Sequence, residues 1–396
     1  MYYMKLNEEI MIFDDGDCVR IYDKFLHKLS RVNKMIFKYL KDMKDSGMLS
    51  SIYDDLSIEQ INTLIENGIL IDDDDSYLSR KFTKDYQEPS KNLNTAYLHL
   101  TMKCNLACEY CYMRENLSHN KPYLSTSKWI SVLLKLKNEG VQNIIFTGGE
   151  IFLHEGIFDI VKYAKELGFE LTLLTNGTLI YGDKLDLVEY VDKVIISLDG
   201  ISTSKRKGSE NYSTLENILN AHKKISVRAV AVRGFEEEVA ELKDLLLSQG
   251  VSHSSALCLP SCNDEICLIP DYDNYSLVGD IAGGNCGAGS NIIALDAMGN
   301  IYPCQTLVKK EFLIANIFDN DWVFKFQCNN LRKIINSFIP TFSSECQECI
   351  AINFCEGGCR SIAYEVYGDF SKRSEFLCDY YRKVAIERIR KEGASL

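Results

Sequence analysis

The chain has 396 residues, 46% of them hydrophobic and 25% charged, so it is too long for one ordinary domain and apolar enough for more than one packed core. Its formal net charge of −12 argues against general binding to nucleic acid or to an anionic membrane. The opening MYYMKLNEEIMIFDDGD has no basic region followed by an apolar run, and no apolar stretch reaches membrane-span length, so a cytoplasmic protein is expected.

In chain order, the first 80 residues read as a small α/β unit. Residues 9–13 and 18–22 read as strands joined by Asp14-Asp15-Gly16-Asp17, a hairpin signal. A helix opened by Ser30 should follow, because Val32, Met35, Ile36, Tyr39, Leu40 and Met43 recur at helical spacing before Gly47. A short helical turn carries Ile52, Tyr53 and Leu56. Ser57 and Gln60 then form a capping-box pattern for a third helix, with Ile61, Leu64 and Ile65 inward and Gly68 as its stop, and 69–71 reads as a returning strand. Residues 72–93 are polar and charged, as in a linker.

From residue 97 to about 267, short strands alternate with helices. The strands are expected at 96–101, 143–147, 170–175, 193–198, 227–232 and 254–259, with helices such as 127–140 and 157–168 between them. Such alternation gives a parallel sheet with helices outside. Six units are too few for a closed eight-stranded barrel, so the expected fold is α/β with a partial (β/α)6 TIM-like barrel. Beyond about Ala282 the chain turns irregular, apart from a hairpin around Met298-Gly299 and helical stretches near 364–368 and 380–390.

The 15 cysteines exceed any background count, and a disulfide scaffold suits short secreted chains rather than one of this length. Cys104, Cys108 and Cys111 form Cys-x3-Cys-x2-Cys directly after a predicted strand. Three thiolates on one loop can hold three irons of a cubane cluster and leave the fourth open to a cofactor. Spacing alone leaves a structural zinc site with a distant fourth ligand open as well. A second group lies near the C-terminus: Cys286, Gly299 and Cys304, then Cys346, Cys349, Cys355 and Cys359, then Cys378. Seven ligands exceed one tetrahedral zinc site.

With Tyr110 as its aromatic, the Cys104–Cys111 loop resembles the signature of the radical S-adenosylmethionine (SAM) superfamily. Further matches follow in order at strand ends. Thr147-Gly148-Gly149-Glu150 resembles the motif that holds the SAM amino group, and Glu150 is able to pair with the ammonium. Thr175-Asn176-Gly177 and Ser197-Leu198-Asp199-Gly200 resemble the ribose- and carboxylate-contacting strand ends, with Arg206 or Arg228 as partner of the carboxylate. Ile151 departs from the proline of many members. The resemblance implies a [4Fe–4S] cluster that cleaves SAM to a 5′-deoxyadenosyl radical, and a reductant such as flavodoxin or ferredoxin.

The C-terminal cysteines resemble the seven-cysteine SPASM domain of radical SAM peptide-modifying enzymes. That resemblance implies one or two auxiliary [4Fe–4S] clusters. Cys346, Cys349, Cys355 and Cys378 would hold the distal one, and Cys286, Cys304 and Cys359 the proximal one. Its fourth ligand stays open among Cys258, Cys262 and Cys267, Cys267 being nearest in sequence, or an open iron; Cys18 and Cys328 are expected to be buried or partly buried thiols. The first 75 residues resemble a RiPP recognition element, a winged-helix-like domain that takes the leader of a ribosomally made precursor peptide as an added strand.

The expected organisation is therefore a recognition domain at 1–80, a linker at 81–94, the radical SAM partial barrel at 95–275 and an irregular iron–sulfur SPASM domain at 276–396. The expected activity is thioether cross-linking of a peptide. Carbon–carbon cross-linking and epimerisation, for which Cys258 or Cys262 would supply hydrogen, remain as alternatives. Formylglycine formation is disfavoured by Gln305 at the position where that group carries an aspartate.

Overall fold

The structure is a computed structural model. It describes residues 4–7, 10–14, 19–23, 28–46, 56–67, 69–72, 93–201, 224–258, 260, 263–270, 287–335, 346, 349–355 and 357–392. The chain forms two compact units, one of Met1–Glu88, Ser343–Cys355 and Cys378–Leu396, the other of Pro89–Phe342 and Glu356–Leu377.

In the first unit, β1 (Met4–Leu6) pairs antiparallel with β5 (Leu70–Asp72). β2 (Ile10–Asp14), β3 (Val19–Asp23) and β4 (Lys28–Val32) form an antiparallel sheet in that order. The predicted hairpin is borne out by the register Asp14↔Val19. The helix start is not at Ser30. Residues 28–32 are the third strand, with Arg31 exposed and Val32 buried against Val19 and Ile21. Helix α1 (Lys34–Ser46) begins after Asn33, whose side-chain oxygen accepts from the Ile36 N–H at 2.8 Å. The expected turn at Ile52 and Tyr53 lies outside the described residues.

Helix α2 (Ile58–Glu66) carries the capping box in full. The Gln60 N–H donates to Ser57 Oγ at 3.2 Å, and the Ser57 N–H donates to Gln60 Oε1 at 2.9 Å. Leu40, Ile61, Leu64 and Leu70 close the core with Val19 and Ile21. Farther along the chain, the same unit holds a short helix at Ile352–Cys355 packed on a longer one at Cys378–Glu392.

The second unit is built on one sheet. Its parallel strands are β6 (Thr95–His99), β7 (Asn143–Thr147), β8 (Glu170–Thr175), β9 (Lys193–Ser197), β10 (Ile225–Ala231) and β11 (Ser252–Leu257), side by side in chain order. They match the expected strands to within two residues or so at either end. On the other side of β6 lie β12 (Ile292–Leu295), β13 (Asn300–Tyr302) and β14 (Ala315–Asn316). The hairpin at Met298-Gly299 is borne out, but its first strand is a seventh parallel strand, in register Leu295↔Leu98.

Helices α3 (Thr126–Asn138) and α4 (Ile157–Glu166) cover one face. Trp129, Val132, Leu133 and Leu136 of α3 are fully buried, each aliphatic one contributing roughly 1.5–3 kcal/mol of burial. They meet Ala96, Leu98, Ile144, Phe146, Leu171 and Leu173, alternate residues of the strands. A further helix, α5 (Glu236–Ser248), packs its Leu242 and Leu246 against Val227. The intervening strand residues, such as Tyr97, Ile145, Leu174, Ile195 and Ser197, face the opposite side and are only half-buried. Among the described residues no helix is long and apolar enough to cross a membrane.

Candidate active site

The cysteine triplet follows β6, at the C-terminal ends of the parallel strands. Cys104, Cys108 and Cys111 are all half-buried. The loop is anchored by buried Met102, Leu106 and Met113 and tightened by the Cys111 N–H donating to the Cys108 carbonyl at 3.4 Å. The Leu106 N–H donates to Cys104 Sγ at 3.4 Å. Burial pushes the Cys104 thiol up, while the N–H groups of Leu106 and Asn105 pull it down. Among the described residues, no three His, Cys, Asp or Glu side chains converge closely enough for a single metal ion.

The loop is held from the next strand end. After β7, the Gly149 N–H donates to the Thr101 carbonyl at 2.8 Å, and the Glu150 N–H to the Lys103 carbonyl at 2.7 Å. A Cβ on Gly148 would stand 2.4 Å from the Thr101 oxygen, and one on Gly149 2.1 Å from the Lys103 oxygen and 3.1 Å from Cys104 Cβ. Both glycines are thus required by backbone that leads into Cys104. Their close approach is to the cysteine loop itself.

Glu150 is fully buried. Its Oε1 accepts from Thr175 Oγ1 at 2.8 Å and the Phe152 N–H at 3.2 Å, and its Oε2 accepts from the Asn176 N–H at 2.9 Å. Burial pushes its carboxyl up, against the pull of the Asn176, Thr175 and Phe152 donors and of Lys184. The carboxylate ties the second motif to the third. Asn176 returns the link: its Nδ2 donates to Asn105 Oδ1 at 2.9 Å, Asn105 Nδ2 donates to Thr178 Oγ1 at 2.8 Å, and Thr178 Oγ1 donates to Asn176 Oδ1 at 2.7 Å. Asn105 sits beside Cys104, so this ring fastens the triplet loop to the end of β8.

Tyr110 is buried, and its hydroxyl donates to Asp199 Oδ2, while Asp199 Oδ1 accepts from the Val230 N–H at 2.8 Å. Ser197 pairs in register with Arg228, whose side chain is exposed. Arg206 lies outside the described residues, as do Cys18, Cys262 and Cys286.

Cys304 is half-buried and contacts Thr306 Oγ1 at 3.1 Å, in the cluster that also contains Met102, Cys111 and Tyr97. Tyr112 Oη and Gln305 Oε1 are 3.5 Å apart, which joins the triplet loop to the Cys304 loop. A small cleft opens here, lined by Cys111, Tyr112, Thr306, Lys309, Ser361 and Glu365 among others. Its Lys309–Glu365 ion pair spans 2.6 Å. Cys359 is the residue before helix Arg360–Tyr367, and that helix packs on the turn Asn263–Leu268 that carries Cys267.

Cys258 is 1% exposed and packs with Tyr110 and Val232, behind the triplet. Cys346, Cys349, Cys355 and Cys378, all half-buried, belong to the other unit. Cys328 is exposed, contrary to expectation. It ends a helix whose buried side is Trp322 and Phe326, and it falls off that side. Sequence reasoning did not single out Asn105, Thr178 or Tyr112. The first has the only available signal, its place next to Cys104.

Residues 98–246 match the model of the radical SAM superfamily. The subtilosin biosynthesis protein AlbA of Bacillus subtilis is 29% identical over 303 residues, which cover 67% of this chain and 66% of that protein. The radical SAM cyclopropyl synthase TigE of Paramaledivibacter caminithermalis is 23% identical, covering 95% and 93%. Among solved structures, Streptococcus suis SuiB superposes with a TM-score of 0.59 at 16% identity, covering 94% of this chain and 99% of SuiB, and it has also been solved with its precursor peptide SuiA. The matched stretch spans just under two thirds of AlbA.

Proposed function

The chain carries a radical SAM domain over residues 98–246, and from that premise we propose that it is a SAM-dependent enzyme that modifies a ribosomally made peptide by forming a thioether between a cysteine sulfur and a residue carbon. The observation that carries the reading is the half-buried Cys104–Cys108–Cys111 loop, zipped to Gly148-Gly149-Glu150 at the C-terminal ends of β6 and β7. The donor set fits a cluster: three cysteines on one loop, Cys104 already accepting an N–H bond that favours a thiolate. When bound, cluster and SAM supply a 5′-deoxyadenosyl radical for hydrogen abstraction.

The chain's own residues position and enclose. Gly148 and Gly149 fix the loop that bears the three thiolates. Glu150, preorganised by Thr175 and Asn176, keeps a buried carboxylate at the strand ends where an ammonium is expected, and Ser197, Asp199, Tyr110 and Arg228 or Arg206 complete the cofactor side. Cys346, Cys349, Cys355 and Cys378 are read as the distal auxiliary ligands, and Cys286, Cys304 and Cys359 as the proximal ones. The packing of the Cys267 turn on the helix after Cys359 supports Cys267 as the fourth proximal ligand. Residues 1–80 are read as the domain for the precursor's leader, with a flavodoxin or ferredoxin as electron source. The relatives named for peptide products, AlbA and SuiB with its precursor, support the substrate class.

A second reading, carbon–carbon bond formation, is favoured by one observation: the match to the cyclopropyl synthase TigE extends over nearly the whole of both chains. Epimerisation with Cys258 as hydrogen donor fits less well, because that thiol is packed behind Tyr110.

The test is anaerobic reconstitution with iron and sulfide, followed by dithionite and SAM. About eight to twelve irons per chain and release of 5′-deoxyadenosine are expected, and the triple Cys104→Ala, Cys108→Ala, Cys111→Ala variant should keep auxiliary iron and lose SAM cleavage. Zinc in place of iron, or no cleavage, would overturn the reading.

A further inference from the structure

Asp199 stands just past the end of β9, on a strand-end motif that resembles a cofactor contact, yet each oxygen of its carboxylate accepts from a protein donor. β10 runs on to Ala231 while β9 stops at Ser197, so the last N–H groups of β10 need acceptors from elsewhere. Asp199 Oδ1 takes the Val230 N–H at 2.8 Å. Its Oδ2 takes the hydroxyl of Tyr110, the aromatic between Cys108 and Cys111. Both side chains belong to residues only 8% exposed, and the Tyr110 ring packs with Val232 and Cys258. β6, from which the cysteine loop springs, lies three ladder steps from β9, roughly 14 Å along the sheet at about 4.8 Å a step. The Tyr110–Asp199 bond therefore crosses the strand ends and ties the loop to β9 and β10.

We propose that Asp199 is a positioning residue of the cysteine loop, one that completes the cofactor side by holding the Tyr110 hydroxyl and not by touching SAM, a role that rests on the radical SAM reading given above. An ionised carboxylate only accepts hydrogen bonds, so Asp199 has nothing to offer the anionic carboxylate of SAM. A ribose hydroxyl could donate to it, but both of its oxygens are engaged and buried. A phenol bonded to a carboxylate makes a charge-assisted bond, stronger than one between neutral groups. The Cys104 end of the loop is held independently, by the Asn105–Asn176–Thr178 ring and by the Glu150 N–H bond to Lys103. Tyr110 secures the Cys108–Cys111 end. Without Asp199 its buried hydroxyl would lose this acceptor, and the loop would have to shift to bring it to water.

The experiment has two arms on the full chain, in wild type, Asp199→Ala, Asp199→Asn, Tyr110→Phe and the Tyr110→Phe/Asp199→Ala double variant. The first is amide hydrogen exchange, read by mass spectrometry on peptides that contain residues 104–114. The second is SAM affinity of the anaerobically reconstituted chain, read by equilibrium dialysis. Asp199→Ala and Tyr110→Phe are each expected to speed exchange of the loop by about tenfold, the scale of one buried charge-assisted bond. The double variant should be no faster than either, because one bond is removed in all three. Asp199→Asn should restore most of the protection, since its amide can accept from the Val230 N–H and donate to the Tyr110 oxygen. SAM affinity should fall about equally in Asp199→Ala and Tyr110→Phe. Unchanged loop exchange in Tyr110→Phe overturns the proposal, even if Asp199→Ala does not fold. So does SAM affinity lost in Asp199→Ala and intact in Tyr110→Phe, the pattern of a direct contact. A wild-type chain that bound no SAM would sink the radical SAM reading instead and leave the hold on the loop to the exchange result.

Discussion

Replacing Gly149 by alanine tests whether the strand end after β7 holds the cysteine loop. The added methyl would stand 2.1 Å from the Lys103 carbonyl oxygen, 2.6 Å from its carbon and 3.1 Å from Cys104 Cβ. Two of those atoms are backbone, so no side chain can swing aside. The loop must retreat by an ångström or more, which breaks the Glu150 N–H bond to Lys103, 2.7 Å in length. Overpacking costs about 1–3 kcal/mol, and the lost bond about another 1 kcal/mol. A total of roughly 2–4 kcal/mol lowers Tm by about 4–16 °C at 2–4 °C per kcal/mol for a unit of this size. The displacement falls on Cys104, so the larger effect should be on metal. Thermal melting and iron analysis of the reconstituted protein are to be compared with Gly140→Ala, where a Cβ meets nothing within 4 Å and only the positive φ of 83° is strained. Gly140→Ala should keep its iron. If Gly149→Ala also keeps wild-type iron and Tm, the loop is not held as described.

Thr175→Val removes a hydroxyl that donates to the buried Glu150 carboxylate, and it should cost about 1–3 kcal/mol, read from a urea midpoint, with SAM affinity falling as well. An unchanged midpoint would mean that Glu150 is satisfied without it. His99 is fully buried, with neither ring nitrogen hydrogen-bonded among the described residues, and burial lowers its pKa from 6.5 to about 4. As pH falls below 6.5 the unfolded chain takes up a proton that the folded chain refuses, so stability is lost between pH 6.5 and about 4, by up to about 3 kcal/mol, and this contribution is flat above 6.5. His99→Leu should flatten that part of the melting-versus-pH curve; parallel curves for the two proteins would refute it. Trp129→Ala removes the largest fully buried side chain among the described residues, at a cost of about 3–5 kcal/mol, and soluble yield and Tm should both drop.

The six parallel strands β6 to β11 were legible because each carries alternating apolar residues next to a helical pattern, and the two periods are distinct over five or more residues. Residues 28–32 were not, since Val32 and Ile36 also fit a helix and only the pairing Val19↔Val32 decides for strand. β12 escaped for a similar reason: it is four residues long, has no crossover helix before it in the pattern, and gains its place from β6, nearly 200 residues earlier. The triplet, Gly148-Gly149-Glu150 and the strand-end motifs could be read from residue type and order. What those residues touch could not, because the Lys103 carbonyl over Gly149 and the Asn105–Asn176–Thr178 ring join segments about 45 and 70 residues apart, and contact partners at such separations leave no mark in local spacing.

The seventh parallel strand has a geometric consequence. β6 leads to the Cys104 loop, and β12 leads through its hairpin to Cys304, so the two thiol-bearing loops leave one ladder, in register Ala294↔Tyr97 and Leu295↔Leu98. A slip by one residue would turn Ala294 and Leu295 to the wrong faces, and a slip by two would move the hairpin by about 6.6 Å. The sheet's own pleat therefore acts as a ruler, metering the gap between the two cysteine loops in whole steps that thermal motion cannot divide.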